Sequence, residues 1–281
     1  MLRWFSWMLM VVCCPSLLAG EEIASAISPA TRDKDGILVH EVQSGFQSAD
    51  TKIRVLLPDN LPAGERRPVI YVLPVEGGDG ERYGNGLREI QKRNLHNRSG
   101  AIFVAPTFSA LPWYADHATD PAIRQEMYFV QVVVPYIDNA YPVEKSAEGR
   151  MLLGFSKSGW GAWTLLMRHP KTFGSAVAWD APLAMQQLGK YGTSGIYGTQ
   201  AQFEKYRVTD LLKASSLSQQ HRLILLGYGS FRNEHEEVHR LMTELKIPHE
   251  YRDGPQRKHD WHSGWVAEAV QLLIPETKVS P

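Results

Sequence analysis

Five runs of uninterrupted apolar residues, "PVIYVLP", "AIFVAPTF", "RMLLGFS", "SAVAWDAP" and "LILLGYG", recur along this chain and limit the folds open to it. A strand with one face in water alternates apolar and polar side chains, whereas a strand covered on both faces has no reason to alternate. Between and after the runs lie "DPAIRQEMYFVQVVVPYIDNAY", "KSGWGAWTLLMRHP", "NEHEEVHRLMTEL" and "DWHSGWVAEAVQLL", each spaced as an amphipathic helix. Buried strands alternating with helices predict an α/β fold, a mostly parallel central sheet with helices on both faces and right-handed crossovers. Ahead of them, "GILVHEVQS" and "KIRVLLP" predict two adjacent strands across the turn-like "GFQSADT". Residues 183–220 are less regular and are expected to form an excursion over the carboxyl edge of the sheet, where ligands bind in such folds.

The first 20 residues, "MLRWFSWMLMVVCCPSLLAG", put one basic residue, Arg3, before an apolar stretch that ends in small residues. That pattern predicts a signal peptide over 1–20, cut near Ala19 or Gly20, and a single domain over 21–281 that is secreted or periplasmic. The apolar stretch from Trp4 to Val12 is shorter than the about 20 residues of a membrane span, so no stable membrane insertion is expected after cleavage. Cys13 and Cys14 admit a lipoprotein, although Val12 stands where a lipobox wants a small residue. The chain has 2 cysteines, both in this leader, so the mature part has no thiol for a disulfide or a metal site. The 30 basic and 30 acidic residues balance without a dense basic run, which excludes the electrostatic footprint of a nucleic-acid binder.

Within this frame "GFSKSGW" follows a buried strand and opens a helix, so Ser156 falls on a strand-to-helix elbow at the carboxyl end of a central strand. Such elbows read G-x-S-x-G because larger side chains would strike the neighbouring backbone; here Ser158 holds the second small position, with Gly159 behind it. A serine hydroxyl needs a base to become a nucleophile, and His259 in "RKHDWHSGW" comes after the last strand-like run, "PHEYRDG", as the order Ser, acid, His requires. His262 is expected inside the final helix. The oxyanion of the transition state calls for two backbone N–H groups. One is that of Lys157, next to the nucleophile and at the positive end of a helix dipole. The other is assigned to Glu76 in the glycine loop "VEGGDG". "GDGERYGNG" lacks the endings of a P-loop or a calcium loop and belongs to the same flexible oxyanion loop.

The span from about Lys52 to Leu273 resembles the putative-esterase branch of the α/β-hydrolases, with its esterase D-type, feruloyl-esterase-like, enterochelin-esterase-like and mycolyltransferase members. The stretches that carry the resemblance are "PVIYVLP" with its glycine loop, "APTFSALPWYAD", "EMYFVQVVVPYIDNAYPV", "GRMLLGFSKSGWGAW", "YGTQAQFEKYRVTDLL" and "HDWHSGW". The resemblance implies a serine carboxylesterase or acyltransferase with Ser156 as nucleophile and His259 as general base. Four residues, at three places, depart from the family pattern. Pro74 and Val75 replace the usual His-Gly or Ser-Gly pair, Ser158 replaces glycine, and Ser230 in "GYGSFRNEHEE" stands where the family places its acid.

Glu234 is expected to supply that acid, since it lies a few residues beyond Ser230 and within about 30° of the apolar stripe of its helix. Asp180, after "SAVAW", is held in reserve. "HEEVH", His235 to His239, matches a zinc-peptidase pattern, but the helical wheel turns His239 roughly 110° from the stripe and no third ligand follows, so no metal is expected. Trp113, Tyr114 and Trp261 are candidates to line a substrate cleft. The expected activity is cleavage of small-molecule or polysaccharide-linked carboxylic esters, with no cofactor. The alternative is a hydrolase fold that lost its acid and binds a ligand without turnover.

Overall fold

In the computed structural model, which describes residues 25–215, 217 and 222–274, the five apolar runs are central strands of one ten-stranded sheet. The strands are β1 (Ser25–Ile27), β2 (Thr31–Arg32), β3 (Leu38–Ser44), β4 (Thr51–Leu56), β5 (Val69–Val72), β6 (Ile102–Pro106), β7 (Arg150–Phe155), β8 (Ser175–Trp179), β9 (Leu223–Leu226) and β10 (His249–Arg252). Their order across the sheet is β1-β3-β4-β6-β5-β7-β8-β9-β10, with β2 beside β3. From β6 to β10 every pairing is parallel, while β1 to β4 run antiparallel to their neighbours, β6 included. The expected leader lies outside the described residues.

Side chains alternate between two cores. Val69, Tyr71, Leu152, Ala176, Ala178 and Leu225 pack on one face. Their chain neighbours Ile70, Val72, Leu153, Val177, Trp179 and Leu226 pack on the other. Successive strand residues point to opposite faces, so a strand buried on both must be apolar throughout, which is why the five runs carry no alternation. Nearer the edge, β3 does alternate, with His40 and Val42 buried and Glu41 and Gln43 exposed.

The helices Gln125–Tyr128, Val134–Ala140, Lys157–Arg168 and Arg232–Glu244 and the helix Trp265–Leu273 confirm the helical patterns of the sequence. A π-helical turn, Phe129–Val133, joins the first two. It precedes Pro135, which cannot donate to the carbonyl one turn back and so breaks the regular ladder. Two helices behind the glycine loop, Gly86–Lys92 and Leu95–Ser99, carry no clear pattern in the sequence; the first is capped by the Asn85 side chain, which accepts from the Arg88 N–H. His262 is not in the final helix. Gly264, at φ 97°, precedes the first helical residue, Trp265, and His262 sits in the turn before it. The excursion after β8 is more ordered than expected, with helices Ser194–Tyr197, Gln200–Glu204 and Val208–Ala214. No helix among the described residues is long and apolar enough to cross a membrane.

Strands β6 and β7 flank β5 on opposite sides although both follow it in the chain. The connection that leaves β5 therefore runs one way across the sheet, to β6, and the one that leaves β6 returns past β5 to β7, so the direction of winding reverses at β5 and a crevice opens beside the carboxyl ends of β5 and β7.

Candidate active site

Ser156 stands in that crevice, with φ 54° and ψ −131°, at the junction of β7 and the helix Lys157–Arg168. A side chain tolerates that backbone only where its surroundings enforce it. Here the Ser156 N–H donates to the Trp179 carbonyl oxygen of β8 at 3.0 Å. Gly154 cannot be larger, because a Cβ there would lie 2.2 Å from the Ser158 carbonyl oxygen. Position 158 accepts a serine because its buried hydroxyl closes on the elbow itself, accepting from the Phe155 N–H at 3.0 Å and donating to the Phe155 carbonyl at 2.9 Å. Gly159 lets the new helix approach β8, where a Cβ would meet that of Ala181 at 2.8 Å.

The loop after β10 brings His259 over this serine, with Nε2 3.0 Å from Ser156 Oγ. On its other side, Nδ1 lies 2.6 Å from Asp180 Oδ2. These contacts assign the proton to Nδ1 and the lone pair to Nε2. The carboxylate expected from Glu234 is thus supplied by Asp180, at the end of β8. Glu234 is occupied elsewhere, accepting from the Ala184 N–H at 2.9 Å, and burial raises its carboxyl above the usual range. Burial also pushes Asp180 upward, but hydrogen bonds from His259 and from the Phe231 N–H at 2.6 Å outweigh it, and the net shift is downward. The loop after β9, where the resemblance leads one to expect the acid, here makes room for one: a Cβ on Gly229 would lie 1.9 Å from Asp180 Cγ. The alternative of a hydrolase fold without turnover rests on a missing carboxylate, and the structure places one, that of Asp180, against His259.

Aromatic rings fence His259: Tyr83 and Phe155 meet it edge-on at 5.3 and 5.1 Å between centroids, and Phe231 is tilted at 6.0 Å. Tyr191, exposed, continues this wall against Phe231. These rings, which the sequence does not single out, surround His259, while the three aromatics expected to line a cleft are buried. Trp113 and Tyr114 have no exposed surface and Trp261 almost none. Tyr114 is packed over Gly161 and its hydroxyl donates to the Pro74 carbonyl at 2.6 Å, which braces the glycine loop from below. Trp261 stacks on Trp265 beneath Phe155.

That loop carries Glu76, two residues beyond Pro74. It is tied to β4 by Asp79, which pairs with Lys52 at 2.7 Å and with Arg54. The Lys157 N–H, as the first of its helix, has no acceptor within the helix. Among the described residues the Glu76 N–H likewise makes no backbone hydrogen bond. The Glu76 side chain folds back over Gly80, where a Cβ would lie 3.4 Å from its carboxyl carbon. Burial lowers the Lys157 ammonium, with Glu76 acting against that shift and Arg82 adding to it.

The two histidines of "HEEVH" face different neighbours. His235 is fully buried with Nε2 2.9 Å from the Ala181 nitrogen, whereas His239 Nδ1 meets His249 Nε2 of β10 at 2.8 Å.

Comparison with known proteins adds a family to this geometry. A family model described as "putative esterase" matches residues 46–271. Esterase Rv1288 of Mycobacterium tuberculosis is 24% identical over 138 residues, which are 48% of this chain and 30% of that protein. The chain thus spans under a third of the length of this curated relative. Among solved structures, the fluorophosphonate-binding serine hydrolase FphF of Staphylococcus aureus superposes with a TM-score of 0.70 at 14% identity, over 88% of this chain and 99% of that one. An S-formylglutathione hydrolase from Agrobacterium tumefaciens gives 0.69 at 15% identity, over 89% and 99%. At such identities the likeness is one of fold.

Proposed function

The chain belongs to the putative esterase family, and from that premise we propose that it hydrolyses carboxylic esters through an acyl intermediate on Ser156. The observation that carries this reading is the unbroken relay from Ser156 Oγ through His259 to the Asp180 carboxylate, at 3.0 and 2.6 Å. Ser156 Oγ attacks the ester carbonyl while His259 Nε2 takes its proton, and Asp180 holds the tautomer and stabilises the imidazolium. The carbonyl oxygen becomes an oxyanion facing the N–H groups of Lys157 and Glu76. Collapse expels the alcohol, which takes the proton from Nε2 and leaves the acyl group on Ser156. Water then attacks the acyl-serine with His259 again as base, releasing the acid. No step calls for a metal or a cofactor.

The substrate is a small-molecule or polysaccharide-linked ester that lies against Tyr83, Phe231 and Tyr191. An organophosphonate probe should label the wild type at Ser156, and Ser156→Ala should lose both labelling and hydrolysis of a chromogenic short-chain ester. Full hydrolysis by Ser156→Ala would overturn the reading. The leader pattern supports export with removal of residues up to Ala19 or Gly20. Mass analysis of exported protein should find that new N-terminus; an intact Met1 on exported material would rule out cleavage.

A further inference from the structure

We infer that His235 is a positioning residue for Asp180: its imidazole accepts the Ala181 N–H and so holds the backbone turn from which the carboxylate reaches His259. The inference rests on the reading of Asp180 as the acid of the relay. Asp180 has φ 43°, a left-handed conformation that a residue with a side chain keeps only where neighbours over-determine it. Its neighbours act on every side. The Phe231 N–H holds Oδ1, His259 holds Oδ2, and the Ser156 N–H approaches the Asp180 carbonyl oxygen at 3.2 Å. The next N–H along the chain, that of Ala181, is buried and meets His235 Nε2 at 2.9 Å. Nε2 carries no proton in this arrangement, so the bond that it accepts from the Ala181 N–H is the hold that the ring has on this residue.

The chemistry favours an imidazole in that place. An apolar side chain would leave the Ala181 N–H buried without a partner, and a lysine or arginine would set a cation, with no lone pair to offer, beside the Asp180 carboxylate. Burial keeps the His235 ring down at about 4, against the pull of Asp180, so at neutral pH it is uncharged and its lone pair is free to accept. His235 and the Phe231 N–H stand at the start of one helix, Arg232–Glu244, with Gly229 just before it. The stretch "GYGSFRNEHEE" therefore works as a cradle for an acid that another strand supplies: Gly229 makes the space, Phe231 binds the carboxylate and His235 fixes the turn. That gives the first histidine of "HEEVH" a task that involves no metal.

The test compares three variants at position 235 by steady-state kinetics on a chromogenic ester. His235→Gln places an amide oxygen near the position of Nε2 and should keep near-wild-type kcat. His235→Asn has the same acceptor on a shorter arm, and His235→Phe has none; both should lose kcat with KM little changed, by roughly tenfold to a hundredfold, the scale of an ångström's misplacement of a catalytic group. Should the Phe variant fail to fold, the Gln and Asn pair alone decides. Wild-type kcat in folded His235→Asn or His235→Phe, or a Gln variant as impaired as the Asn variant, would overturn the inference. Asp180→Asn separates the two levels. If it is active, the reading of Asp180 itself fails; if it is inactive while every position 235 variant is wild-type, only the role of His235 fails.

Discussion

Asp180 carries its charge where no water reaches it, which is favourable only because donors replace the water. His259 and the Phe231 N–H do so, one on each oxygen. Asp180→Asn keeps the shape but turns an N–H toward the imidazole, which favours the wrong tautomer. It should lower kcat/KM roughly a thousandfold or more, with folding intact. Glu234→Gln retains an oxygen for the Ala184 N–H and should stay near wild type. The reverse ranking in a kinetic comparison would return the acid to Glu234. Ser156 and His259 were legible in the sequence because an elbow has a spacing signature and the chain order is directional. The acid was not, because neighbouring strands lie only about 4.8 Å apart and the ends of either β8 or β9 can place a carboxylate on one histidine. What would have pointed to Asp180 is Gly229 in "GYGSF", a position just after β9 that carries no side chain and leaves space for a carboxylate from the neighbouring strand.

At the scale of elements, the strands that the apolar runs predicted are all present because burial on both faces leaves an unmistakable composition. The short β1 and β2 have too few residues for a pattern. The helices Gly86–Lys92 and Leu95–Ser99 were missed for a different reason: their first turns follow a glycine loop and their exposed faces are polar, so the apolar stripe is only Leu87, Ile90 and Leu95. Tertiary packing, not local pattern, places them under the site. The same holds for the loop between β9 and the helix Arg232–Glu244. A methyl group at Gly229 would sit 1.9 Å from Asp180 Cγ, so either the loop or the acid must move. Gly229→Ala should therefore reduce kcat about tenfold or more while KM changes little, since an ångström's misplacement of a catalytic group is worth that much. A crystal structure of the variant should show the Asp180 to His259 distance lengthened. Unchanged kcat would mean that the loop relaxes freely and that the close approach is incidental to the acid's position.

Over the whole molecule, buried ionisable groups set opposing slopes of stability against pH. His235 is lowered by burial from 6.5 to about 4. Between those values the unfolded chain binds a proton that the folded chain does not, so stability falls as pH falls. Asp116 is raised, chiefly by burial, from 3.8 to about 6. In that window the folded chain holds the extra proton, so stability rises as pH falls, against the His235 effect. Glu126 acts lower on the scale. Burial opposes its charge, but His169, Arg168 and Tyr206 bind its carboxylate and hold it at about 2, so its contribution is lost as pH falls below the usual carboxylate range. Between pH 6 and 4, Asp116 therefore masks part of the acid sensitivity of the buried histidine. Asp116→Asn removes the titration and keeps an oxygen for the Met127 N–H, which Asp116 Oδ1 accepts at 3.2 Å. Its unfolding free energy should fall more steeply with acid than that of the wild type, by up to about 1.4 kcal/mol per pH unit, the slope for one proton. Urea unfolding of both proteins at pH 4, 5 and 6 measures the difference. Parallel slopes would show that Asp116 is already charged across this range in the folded protein, and that its burial is relieved by water.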